Sequence, residues 1–246
     1  MREYVLTGIP GVDKILGEKG IPKGHTILMC GGPGSGKTTF GIQFLYKGVT
    51  EYDEPGLYIT LDEEPESIKK NMSSFGWDLE ALQRERKLAF LNVSPVRAVS
   101  TEKKGLIQLG MKEFKLIKLL QAIKTGIEDI HAQRVVIDPV TMFMLQYPDE
   151  TERIHAMRDL ISELRETGCT HLLISELKGT GLEREYQFEE YLSQGVILLR
   201  TFLKGDKLVR MFQAEKMRGL NIDTQPRPYN ITETGIEVYP NLTVFK

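Results

Sequence analysis

With 246 residues, 41% of them hydrophobic and 27% charged, the chain has the composition of an ordinary globular protein with room for one large domain, and it is too apolar to be disordered. A formal net charge of −2 supplies no global attraction to nucleic acid or an anionic membrane, although it leaves room for a local basic patch. The start is not signal-like, no apolar run approaches about 18 residues, and the two cysteines, Cys30 and Cys169, sit in or beside strand-like runs, which together predict a cytoplasmic protein with reduced, buried thiols.

In chain order, residues 5–23 carry glycine or proline every few positions around Val12, Ile15 and Leu16, predicting turns and one short helix that lead into the first core strand, Thr26–Cys30. A glycine-rich segment follows, and then a helix from Lys37 to about Lys47 with Phe40, Phe44 and Leu45 on its packing face and Gly48 as its stop. The strand Leu57–Leu61 ends on Asp62-Glu63-Glu64, and Pro65 opens a helix to about Phe75. Leu88–Val93 is a further strand, and the aperiodic run from Ser94 to Gly110 reads as a surface loop. A long amphipathic helix, about Met111 to Ala132, puts Leu116, Leu120, Ile123, Ile127 and Ile130 on one face. Arg134–Asp138 is a strand ending in aspartate, a helix runs from about Asp149 to Thr167, and Thr170–Ser175 is the next strand. This alternation predicts an α/β fold whose mostly parallel, twisted sheet is flanked by helices. Beyond Gly195 the runs Val196–Leu203, Leu208–Met217 and Ile236–Val238 read as antiparallel C-terminal hairpins. The whole is one domain: a lead-in over 1–24, a core over 25–203 and a β-hairpin extension over 204–246.

The glycine-rich segment carries the chemistry. Gly31, Gly36, Lys37 and Thr38 fit G-x-x-x-x-G-K-[ST], and the motif lies between a strand and a helix start, as a phosphate-binding loop requires. Backbone amides of Gly32, Pro33, Gly34, Ser35, Gly36, Lys37, Thr38 and Thr39 line the segment, proline alone lacking an N–H. They point at phosphate oxygens, reinforced by the positive end of the helix. Lys37 reaches the β- and γ-phosphates and the Thr38 hydroxyl ligates Mg²⁺, so the ligand is a nucleoside triphosphate. Hydrolysis needs a second metal anchor, a group for water and a cation for the transition state. Asp138, ending a buried strand, suits the first role, holding Mg²⁺ through water. Asp62, Glu63 and Glu64 also leave a core strand where ligands bind, and a carboxylate there suits the second. Position alone singles out no cation.

The pattern resembles the KaiC family of RecA-like ATPases over almost the whole chain. The resemblance rests on TGIPGVDKILGEKGIPKG before the loop, GGPGSGKTTFGIQFLYKG through it, EPGLYITLDEEPESIKKNMSSFGWDL after it, and farther on RVVIDPVT, EEYLSQGVILLR, KMRG and PYNITETGIEVYP. It implies a RecA-like fold, ATP and Mg²⁺ as ligands, and a homo-oligomeric, hexameric ring with ATP between neighbouring copies. It places the family's acidic pair on Asp62-Glu63, with Glu63 activating water and Asp62 assisting. It places the family's trans-acting K-x-R-G motif on Lys216 and Arg218, and puts Ser74 and Thr232 near the base and ribose. Clock KaiC carries two such domains, and the autophosphorylated pair of its second domain aligns with Glu190-Tyr191 here, so autokinase activity is not expected. The implied function is a ring-forming ATPase acting on an unknown protein partner. The competing readings are a RecA- or RadA-like recombinase paralogue that binds DNA through residues 178–190, disfavoured because that loop is acidic on balance, and a slow ATP-gated scaffold.

Overall fold

In the computed structural model, described over residues 3–93, 110–177 and 186–245, a nine-stranded sheet forms the body and a two-stranded ribbon lies beside it. The ribbon pairs β1 (Tyr4–Val5) with β2 (Ile21–Pro22), and a short helix, α1 (Val12–Ile15), lies between them in sequence. The six parallel strands are β3 (Thr26–Gly31), β4 (Gly56–Thr60), β5 (Leu88–Asn92), β6 (Arg134–Asp138), β7 (Thr170–Glu176) and β8 (Gly195–Lys204). Three antiparallel strands, β9 (Lys207–Met217), β10 (Arg227–Thr232) and β11 (Gly235–Val238), extend one edge, giving the order β11-β10-β9-β8-β3-β7-β6-β4-β5. The sheet is mixed, mostly parallel and flanked by helices, as the alternation predicts. β10 escapes prediction because RPYNIT opens with charge and proline and alternates weakly.

Side-chain alternation along the central strands feeds two cores. On β3, Ile27 and Met29 join the layer under α2 (Lys37–Tyr52), α3 (Pro65–Met72) and α4 (Leu79–Arg84). Leu28 and Cys30 join the opposite layer, under α5 (Gly110–Ile130), α6 (Val140–Met144) and α7 (Glu150–Glu166). A last short helix, α8 (Phe188–Leu192), packs Phe188 and Leu192 on this second layer. The amphipathic reading of α5 holds where its side chains are described: Ile123 is buried, and Leu116, Leu120, Ile127 and Ile130 are partly buried against the core. The expected surface loop lies outside the described residues, apart from the helix start at Gly110.

One expectation is corrected. Gly48 does not stop α2, which runs on to Tyr52 and ends with Asp53 in the left-handed region at φ 56°. A Cβ on Gly48 would lie 2.5 Å from Arg134 Nε. The glycine therefore makes room for a side chain crossing the helix. Arg134, fully buried at the start of β6, donates to Glu54 Oε2 from Nε (2.8 Å) and Nη2 (2.6 Å), to the Phe44 carbonyl (2.9 Å) and to the Leu6 carbonyl (2.8 Å). A buried guanidinium is tolerated only with its donors engaged in this way.

Candidate functional site

The site lies at the carboxyl end of the parallel strands. Gly31, the last residue of β3, approaches β8 so closely that a Cβ there would meet the Leu199 carbonyl oxygen at 2.8 Å and Ser35 Oγ at 2.5 Å. The chain then turns through Gly34 (φ 71°) and Gly36 (φ 85°), left-handed conformations that glycine adopts without strain, and enters α2 at Lys37. Ser35 Oγ donates to the Gly32 carbonyl at 2.8 Å, closing the loop on itself. Lys37 Nζ sits over the loop, donating to the carbonyls of Gly31 (2.8 Å) and Gly32 (3.0 Å). Burial lowers its pKa, opposed by the negative charges of Asp138 and Glu176.

Asp138 ends β6 beside this loop, only 8% exposed. Its Oδ2 accepts from Thr38 Oγ1 at 2.7 Å and from the Tyr58 hydroxyl at 2.5 Å. Burial raises its pKa, and these two hydrogen bonds pull the other way. Tyr58 is itself fully buried, and burial and the aspartate push its pKa well up, so it stays a donor. Asp62 belongs to the same group: burial raises its pKa first, with Glu63 and Glu176 adding repulsion. Glu63 is placed differently. Thr60 Oγ1 bonds both its amide (3.0 Å) and its carbonyl (2.6 Å), fixing the turn, while its carboxylate accepts from Ser67 Oγ (2.6 Å) and Asn71 Nδ2 (3.3 Å) on α3.

Lys216 and Arg218 lie elsewhere. Met217 pairs with Gly195, which pairs with Ile27, whereas the loop leaves from Gly31 opposite Leu199. The two cations are thus at the other end of the sheet, flanking Met217, which lies four residues of strand or roughly 13 Å below the start of the loop. There Lys216 Nζ donates to the Glu190 carbonyl and Arg218 Nη2 to the Tyr191 carbonyl at 3.1 Å, both on α8. Of the remaining candidates, Thr232 lies next to a residue of the loop's surroundings and Ser74 lies on a separate turn. Thr232, whose hydroxyl donates to the Gly235 carbonyl at 2.9 Å, sits at the β10–β11 turn, next to Ile231, which packs against Gly36. Ser74 is exposed on a 3₁₀ turn, Ser73–Phe75, and the neighbouring Trp77 lies close to Gly235.

Three participants have no counterpart in the sequence reading. Tyr58 shares Asp138 with Thr38. Glu176 ends β7 opposite Gly31, near enough to act on both Lys37 and Asp62. It carries the same strand-terminal acidic signal that marks Asp138. The Tyr229 hydroxyl donates to the Ser35 carbonyl at 2.5 Å from β10, and no local pattern signals that contact.

The donor set fits the expected ligands. The cradle supplies amides and an ammonium for phosphate, and Thr38 with Asp138 offers hard oxygen donors suited to Mg²⁺. Among the described residues no cluster of three or more His, Cys, Asp or Glu could hold a metal by itself. No helix among the described residues is long and apolar enough to cross a membrane.

Fold and loop together define a P-loop nucleotide-binding protein on a RecA-like sheet. The chain belongs to the KaiC family of ATPases, whose family model, ATPase: KaiC, matches residues 5–243. It is 36% identical over 247 residues to a UPF0273 protein of Methanocaldococcus jannaschii, covering 96% of each. It is also 37% identical over 235 residues to the circadian clock oscillator protein KaiC of Synechococcus elongatus, covering 95% of this chain and 44% of that protein. The chain thus spans less than half the length of the clock proteins it matches. Among solved structures, the crystal structure of a KaiC-like protein from Pyrococcus horikoshii superimposes with a TM-score of 0.82 at 34% identity, covering 98% of this chain and all of that one.

Proposed function

We propose that the protein hydrolyses ATP at sites shared between neighbouring copies in a ring, a hexamer on the pattern the family resemblance implies, and that turnover changes the conformation of a protein partner. The observation that carries this reading is the separation of the charges: loop, Thr38, Asp138 and Asp62 at one end of the sheet, Lys216 and Arg218 at the other. A cation that cannot reach its own loop has a use in turnover only at a neighbour's.

In this reading residues 1–246 act as one domain. The loop from Gly32 to Thr39 and the Lys37 ammonium bind the phosphates, and Ser74 and Thr232 border the base and ribose. Mg²⁺, held by the Thr38 hydroxyl and through water by Asp138, would neutralise phosphate charge. Glu63 orients the attacking water with Asp62 assisting, and Ser67 and Asn71 set the carboxylate's direction. Lys216 and Arg218 of the next copy meet the charge developing on the γ-phosphate.

Sizing and steady-state turnover of the purified protein test this directly. The expected result is an oligomer whose Mg²⁺-dependent ATP hydrolysis falls about 100-fold or more in Glu63→Gln while ATP binding persists. Full activity in a monomer, or an unchanged rate in Glu63→Gln, overturns it.

A further inference from the structure

Helix α7 sorts its charges by face. Asp159 and Glu152 lie beside the Tyr147 hydroxyl, whose pKa burial and then these carboxylates push up to about 12, and Glu163 meets Lys124 Nζ at 2.8 Å. Arg158, Ser162 and Arg165 occupy a different stripe, at helical spacing. With Tyr191 and Arg218 they line a cavity of about 340 Å³ at the end of the sheet opposite the phosphate loop. No carboxylate lines this cavity. Among the described residues no hydrogen bond or ion pair engages the guanidinium of Arg158 or of Arg165, and Arg218 commits one nitrogen to the Tyr191 carbonyl. Three guanidinium groups around one cavity repel one another unless an anion joins them, and their planar forks suit phosphate oxygens.

We propose that Arg158 and Arg165 bind, beside Arg218, the polyphosphate of the nucleotide held by a neighbouring copy of this chain. The inference rests on the shared-site reading and extends it to two residues of α7. The cavity favours this occupant on two counts. Its lining joins three guanidinium groups and no carboxylate, and the chain's net charge of −2 does not favour an extended polyanion.

The test compares Arg158→Gln/Arg165→Gln with Arg218→Ala, each alone and mixed with Lys37→Ala copies. A Lys37→Ala copy lacks a working loop but still offers intact arginines to its neighbour. Both arginine variants should lose turnover alone, the glutamine pair about tenfold with a raised KM for ATP, and each should recover part of it on mixing. If the Arg218→Ala mixture recovers while the glutamine pair shows no loss, this inference fails and the shared site stands. If the Arg218→Ala mixture does not recover, the shared site fails and this inference with it. Should the glutamines disturb assembly, Arg158→Lys/Arg165→Lys keeps the charge but not the fork and should still raise KM about threefold; an unchanged KM overturns the proposal. Binding of a labelled single-stranded oligonucleotide that the pair abolishes, with turnover intact, assigns the cavity to nucleic acid and also overturns it.

Discussion

The two ends of the parallel sheet use polar groups in opposite ways. At the carboxyl end, Lys37, Thr38, Tyr58 and Asp138 interlock around a loop that β8 and β10 also brace, and the carboxylate pKa values are raised. At the other end, Arg134 and His171 are buried within the chain, while Arg158, Arg165 and Arg218 stand exposed around a cavity. One end gathers its polar groups around the loop; the other buries Arg134 and a neutral imidazole within the chain and presents three arginines outward. A division of that kind suits a molecule whose reactive centre is completed by a second copy.

The sharpest way to break the comparison is Arg218→Ala. Turnover should drop about 1000-fold, near 4 kcal/mol, with ATP binding little altered, as the proposed trans-acting role in the transition state requires. Equal losses in binding and turnover would place Arg218 in ground-state recognition instead. Next comes Arg134→Met, which strands Glu54 and the Leu6 and Phe44 carbonyls and should cost about 3 kcal/mol in chemical denaturation. Adding Glu54→Gln should recover part of that loss.

His171 gives a pH test of the same end. Burial lowers its pKa from 6.5 to about 3, so the folded ring stays neutral where the unfolded one takes up a proton. Stability from this residue is therefore complete above pH 6.5 and drains away as the pH falls towards 3, by about 2 kcal/mol at pH 5. The drop between pH 7 and pH 5 should be smaller by that amount in His171→Leu, and equal drops in both proteins would refute it. The smallest effect is expected at the other end, for Tyr229→Phe. Losing the hydrogen bond to the Ser35 carbonyl should weaken ATP binding severalfold, about 1 kcal/mol, without altering the oligomer.

What could be read in advance follows the range of the interactions. The loop motif, the strand ending at Asp138 and the helical stripes are local patterns, and a strand–loop–helix unit is specified over neighbouring residues. Gly48 misled because a glycine serving a side chain 86 positions away looks the same as one ending a helix. Tyr58 hides inside an apolar strand, where an aromatic reads as packing until Asp138 is found against its hydroxyl. Glu176 carries the same local signal as Asp138, an acid on the last residue of an apolar strand, one position past Ser175. Tyr229 carries no such signal, since its partner lies 194 positions earlier.

That last separation bears on the order in which the molecule is made. Chain leaves a ribosome from its amino end at roughly 5–20 residues per second. Loop, Lys37 and Thr38 therefore exist long before β10 and β11 arrive to seat Tyr229 on Ser35 and Ile236 on Gln43. A nascent chain halted before residue 229 should hold a floppy, poorly bound phosphate loop, so nucleotide capture becomes a late event that reports a finished fold.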